Sequence, residues 1–304
     1  MSTLILKGPH WVTVRQHRRT LLLAAVVIAV SPVAMLALRG LAGWEGTPYG
    51  HAYDLLRSGM KAASLTMLFL PVLVGAFFAG PMIARELESG TYRLALTQSC
   101  TPRAWLSAKF VVAAVAAVTG SAALVGAYRL GWSRLAGTYQ FHWADRGAYE
   151  ATGPVVVAYC LLGIAIGAVT GLLVRRTLPA MAVAGLVTGL VMPALGALRW
   201  SFLPVQTLTA PLTSAPGKSL PLNAFVMESG YTTTTGVRLP FDACVAPVPE
   251  QRECLAALDV VGRFTDYHPA SHYWPTQLIE SSIALALAVL AGYAAFRILR
   301  SRHG

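Results

Sequence analysis

The chain has 304 residues, of which 55% are hydrophobic and only 12% charged, with a formal net charge of +11; its mean hydropathy is +0.57. A soluble domain carries about 25% charged residues, so a water-soluble globule of this length is excluded. The apolar segments are continuous rather than alternating, which excludes a β-barrel and leaves a helical membrane protein.

In residues 1–19, Trp11, Val12 and Val14 are interspersed with basic side chains. This is the pattern of a short amphipathic helix at a membrane surface, its length limited by Pro9, with an unstructured basic tail as the alternative. The first apolar window, 20–38, follows the basic run "RQHRRT" and so resembles a signal peptide. Its apolar part is longer than the roughly 7 to 15 residues of a signal core, and no small-x-small cleavage site follows, so a retained span is predicted. Windows 62–83, 107–128, 154–174, 178–199 and 276–297 each reach the roughly 20 residues that cross a hydrocarbon core of about 30 Å.

Pro71 and Pro81 in the second window and Pro193 in the fifth are expected to bend their helices. In the fourth, Gly163, Gly167 and Gly171 recur every four residues and leave one face bare, so another helix can approach closely, from this chain or from another subunit. Residues 200–275 are the only sizeable piece outside the spans. Their many prolines predict a compact loop domain of short elements, with a short helix near "EQRECLAALDVVGRF". For Cys244 and Cys254 a disulfide is expected on the outer face, with free thiols or a metal site with His268 and His272 as alternatives; Cys100 and Cys160 are expected to be reduced. Glu280 lies about 9 Å along its helix from Trp274, and reads as an interfacial or satisfied structural carboxylate rather than a transport group.

Basic residues near the span ends give the orientation. With both termini cytoplasmic, the inner pieces hold thirteen, namely Lys7, Arg15, Arg18, Arg19, Arg85, Arg93, Arg103, Lys109, Arg175, Arg176, Arg297, Arg300 and Arg302. The two short outer loops hold six, Arg39, Arg57, Lys61, Arg129, Arg134 and Arg146. The excess predicts cytoplasmic termini and an extracellular 200–275 domain. Lipid head groups account for the net positive charge without a nucleic-acid partner.

No catalytic or metal site is predicted. The chain lacks H-E-x-x-H and G-x-S-x-G, and no paired carboxylates stand deep in a span. "PGKS" at 216–219 is not a phosphate loop, because Leu212 stands where the first glycine is required. The concentrated polar feature is "ARELESGTYR" at 84–93, set between two apolar windows. Here Glu86 and Glu88 are predicted to open a short helix, Gly90 to end it in the left-handed conformation, and Thr91 to cap a second piece carrying Tyr92, Arg93, Leu94 and Leu96. The expected hairpin, 84–106, puts Ile83, Leu87 and Leu94 near one face and leaves Arg85, Glu86, Ser89 and Arg93 to a soluble partner. A solvated inner loop is the plainer alternative.

"RELESGTYR" resembles the stretch between the second and third spans of type-2 ABC transporter permeases, the superfamily that includes the G-subfamily exporters; Arg85, Glu86, Ser89, Gly90, Tyr92 and Arg93 match it, and "LALTQSCTPRAWLSAK" is similar to the bacterial members. The resemblance implies an all-α membrane protein with six transmembrane helices, an N-terminal amphipathic connecting helix and a large extracellular loop between spans five and six. It implies that Arg85, Glu86, Glu88, Ser89, Gly90, Thr91, Tyr92 and Arg93 form the coupling segment that docks on a separate ABC ATPase subunit, present in two copies. It further implies a second permease subunit, a bacterial cell membrane location, and export of a hydrophobic or amphipathic compound. No cofactor is expected on this chain, ATP being bound by the ATPase, and the chain itself is expected to be no enzyme. The rival readings are a membrane sensor or immunity protein, and a membrane enzyme with an unrecognised site.

Overall fold

Backbone polar groups inside hydrocarbon must be satisfied within the chain, which a helix does locally. The computed structural model describes residues 8–45, 50–97, 101–136, 141–212, 220–245 and 247–303, and it is mostly helical. A surface helix α1 (Pro9–Gln16) begins at Pro9, whose missing N–H costs nothing in a first turn. The first membrane helix is α2 (Arg18–Glu45). Next come α3 (His51–Leu73), a π-helical segment (Val74–Ala79) and α4 (Gly80–Glu88), which run on as one rod from His51 to Glu88. Short α5 (Thr91–Thr97) precedes the third membrane helix, α6 (Pro102–Leu135). Short α7 (Ala148–Thr152) leads into α8 (Val155–Val174), and α9 (Thr177–Leu198) follows. The segment between the fifth and sixth membrane helices contains β1 (Gln206–Pro211), β2 (Phe225–Thr233), β3 (Arg238–Pro240), α10 (Val248–Ala257) and β4 (Val260–His268), before the last membrane helix α11 (Tyr273–His303). Six helices among the described residues are long and apolar enough to cross a membrane.

The core forms around α8. Its apolar window is 83% buried, whereas that of α2 is 6% buried, so α8 is the post on which the other spans pack and α2 is a peripheral helix. The three glycines of α8 make this possible. A Cβ on Gly163 would lie 2.6 Å from the Pro71 carbonyl oxygen, and one on Gly167 would lie 2.7 Å from that of Gly75. On Gly171 it would lie 3.0 Å from the Gly80 carbonyl oxygen. The seam's partner is therefore the second span of the same chain, backbone against backbone. The π-helical turn lies on this seam, and there the Gly80 N–H bonds back to the Gly75 carbonyl. Pro71 and Pro81 flank it without ending the helix, so the backbone irregularity of the two prolines is taken up inside the rod.

The polar hairpin departs from expectation at its start. Glu86 and Glu88 do not open a helix; they occupy the last turn of α4, at the end of the rod that begins at His51. Arg, Glu and Leu are strong helix formers, and no breaker stands between Met82 and Gly90, so the span continues through "ARELE".

Residues 200–275 carry a four-stranded antiparallel sheet in the order β1-β4-β2-β3, which was not predicted. The expected helix is present as α10, but "VVGRFTDYH" is β4, as its β-branched and aromatic residues suit. Tyr231, Cys244, Leu255 and Val260 form a small separate core here, closed by a Cys244–Cys254 disulfide with a Cα–Cα distance of 5.9 Å. Among the described residues no group of three His, Cys, Asp or Glu is placed to hold a metal ion. Cys160 is a buried free thiol, and Cys100 and the 216–219 stretch lie outside the described residues.

Candidate functional site: the polar hairpin

The rod ends because Gly90 has φ 73°, a left-handed conformation that a side chain resists. A Cβ there would meet nothing within 4 Å, so backbone conformation rather than space selects glycine. Thr91 is the first residue of α5, and the Arg93 N–H bonds to the Gly90 carbonyl at 3.1 Å. The Ser89 and Thr91 hydroxyls are paired at 2.9 Å. Arg85, Glu88, Ser89, Gly90, Thr91 and Arg93 are exposed, as is Leu94, which was expected on the apolar face. Tyr92 is buried, its ring edge-on to Trp105 at 4.9 Å, and burial raises its phenol above the usual value.

The two carboxylates are committed within the chain. Glu86 Oε2 accepts from Trp105 Nε1 and Glu86 Oε1 accepts from Lys109 Nζ, each at 2.7 Å. Lys109 is only 2% exposed and also donates to the Met82 carbonyl at 3.1 Å. A buried ammonium requires such partners, so this pair fixes the end of α4 to the start of α6. His17, at the α1–α2 junction, packs edge-on against Phe78 at 5.7 Å. Burial, then the nearby Lys109, hold its imidazole below the usual value despite the opposing effect of Glu86. Glu88 accepts from the Thr177 N–H at 2.9 Å and from the Thr177 hydroxyl, which caps α9 with a carboxylate where the helix dipole favours one. Among the described residues neither Arg85 nor Arg93 has an ion-pair partner. The hairpin is thus braced to α6 and α9 by its acids and presents its cations outward.

At the opposite end of the bundle lies a second buried charge cluster. Arg199, just beyond α9, donates from Nη2 to Glu150 and from Nε to Glu280, both at 2.6 Å. The Tyr159 hydroxyl donates to Glu280, and the Gly147 N–H donates to Glu150 at 2.7 Å. The Arg199 guanidinium also lies over the Tyr149 ring at 3.6 Å. Glu280 is thus a fully buried structural carboxylate joining α11 to α8 and α9. Sequence reasoning missed Glu150, Arg199 and Lys109. The available signal was a charge inside or at the edge of an apolar window, which requires a partner.

Residues 19–199 match the family described as ABC-2 membrane transporter related. The chain belongs to that family. The match contains five of the six spans, the polar hairpin and all of the bracing contacts of Glu86 and Glu88. No curated protein matches the chain. As an ABC-2 permease it is a multi-pass membrane subunit of an ABC transporter, working with an ABC ATPase, and its family points to transport rather than to enzyme chemistry. The permease places its polar hairpin directly at the end of its second span, so any partner that displaced the hairpin would displace that span.

Proposed function

We propose that this permease is driven by a separate ABC ATPase that docks on the 85–93 hairpin from the cytoplasm, and that it exports a hydrophobic or amphipathic compound from a bacterial cell. The observation that carries the reading is the unbroken His51–Glu88 helix ending in a hairpin that exposes Arg85 and Arg93 and is braced to α6 and α9. Such a lever converts a push on Arg85 and Arg93 into movement of the second, third and fifth spans together. The thirteen-to-six bias of basic residues supports a cytoplasmic hairpin. Six spans supply half of a translocation path, so two permeases, identical or similar, work with two ATPases. An open groove of about 650 Å³ between the second and fifth spans, lined by Val72, Ala76, Phe77, Met181 and Leu186, suits an apolar cargo.

The test is the double variant Arg85→Glu, Arg93→Glu, purified with its co-expressed ATPase. Both side chains are exposed, so the permease is expected to remain folded and monodisperse. Loss of two docking charges weakens the complex by about 2 to 5 kcal/mol, and the ATPase is expected to dissociate. Wild-type ATPase retention and wild-type transport in this variant would refute docking at the hairpin.

A further inference from the structure

Where α6 emerges on the membrane face that carries the 200–275 domain, a pocket of about 520 Å³ opens between α6, α7 and the start of α11. Its walls include Trp132, Trp143, Tyr273 and Trp274, and Arg129 is the charged side chain on it. Depth is set by the helix itself. Arg129 follows Lys109 by twenty residues, about 30 Å of helix, which is one hydrocarbon thickness from the polar pair at the other face. Arg129 therefore stands at head-group level, and tryptophan and tyrosine are the residues that favour that level.

Among the described residues no ion-pair partner neutralises Arg129. Its Nε donates to the Thr152 carbonyl at 2.6 Å, and its guanidinium lies 5.3 Å from the centre of the Trp274 ring. The Tyr273 hydroxyl also lies against the guanidinium. All three partners are uncharged, and among the described residues no carboxylate lies within ion-pair distance of it. An interfacial arginine with no further role extends into water. This one is instead tethered by a carbonyl and laid on an indole at the wall of a pocket. A guanidinium held this way is matched by a phosphate, whose oxygens accept its paired N–H donors. The aromatic walls and the half-exposed Trp274 suit the glycerol and upper acyl carbons attached to such a phosphate.

We propose that this pocket binds the phosphodiester of a phospholipid from the adjacent leaflet, with Arg129 as the anion ligand and Trp274 as the wall for the lipid's glycerol. The test uses the full chain in nanodiscs with phosphatidylglycerol that carries a diazirine near the glycerol. Photolabelling is expected on the Trp274 and Trp132 peptides. It should fall at least about tenfold in Arg129→Gln, as for loss of a charge-assisted hydrogen bond, and largely persist in Arg129→Lys. A diazirine diacylglycerol without phosphate, used on the unaltered chain, is expected to label at least about tenfold less on the same ground, and this arm needs no variant to fold. Millimolar inorganic phosphate should leave lipid labelling unchanged. Equal labelling by the phosphate-free lipid, undiminished labelling in a folded Arg129→Gln, or displacement by inorganic phosphate would each overturn the assignment.

Discussion

Glu86 and Lys109 show how a residue's role changes once its neighbours are known. A carboxylate exposed at a helix start would contribute about 0.3 to 1 kcal/mol, and its loss would leave the fold intact. Glu86 instead neutralises a lysine that is 2% exposed, so Glu86→Ala is expected to destabilise the protein by about 3 to 5 kcal/mol. Thermal unfolding in detergent would report it, and Glu86→Leu combined with Lys109→Met should recover most of the loss because no buried charge is left alone. Full stability of Glu86→Ala would remove the brace. The hairpin's charges and the left-handed Gly90 were legible because both are local. Lys109 was not, because counted as a boundary cation it needs no partner, and Arg199 was not, because its partners lie 49 and 81 residues away. Burial, then His272 at 2.9 Å, hold His268 below the usual imidazole value of 6.5. The unfolded chain takes up that proton first, so this stability is complete above 6.5 and is lost as pH falls through the lower folded value. The unfolding temperature is expected to fall on acidification from about pH 7.5 to 5, less steeply in His268→Gln.

Between elements, the glycine seam holds the second span against α8. Gly167→Val places carbon 2.7 Å from the Gly75 carbonyl oxygen and 2.8 Å from Gly80 N, where only backbone can give way. It is expected to cost more than the roughly 1 to 3 kcal/mol of ordinary overpacking and to abolish stable membrane levels. Gly126→Ala, with nothing within 4 Å of the added carbon, is the control and should behave as the unaltered protein. The four-residue repeat made the bare face legible, whereas its partner was not, since Gly75 lies in a π-helical turn and Gly80 just after it, an irregularity without a sequence period of its own. The sheet was hidden for a similar reason. Its pairings join segments tens of residues apart, such as Gln206 with Tyr267, and β4 begins three residues after α10. The disulfide closes this domain's small core, and reduction is expected to cost it about 2 to 3 kcal/mol. Mass spectrometry of unreduced protein should find the Cys244 and Cys254 peptides linked; two free thiols in protein from its native membrane would contradict this.

For the whole molecule, the six spans were legible from apolar length, but the continuity that makes the second span a lever was not. A window ends where apolar residues end, whereas a helix ends where its backbone does, and these points differ by the five residues "ARELE". The proposed orientation predicts that Ser89→Cys and Ser301→Cys, in a chain with Cys100 replaced by Ser, react with an impermeant maleimide only after permeabilisation. Thr235→Cys should react in intact cells; labelling of Ser301→Cys there would reverse the topology. The central claim is that an ABC ATPase meets the permease at the hairpin, and the most direct measurement is a photo-crosslinking amino acid at Ser89 in living cells that express both subunits. The account predicts a crosslinked product whose partner peptides come from the ATPase, lost in the Arg85→Glu, Arg93→Glu variant. Crosslinking to lipid or to the permease alone, while the cells still transport, would contradict it.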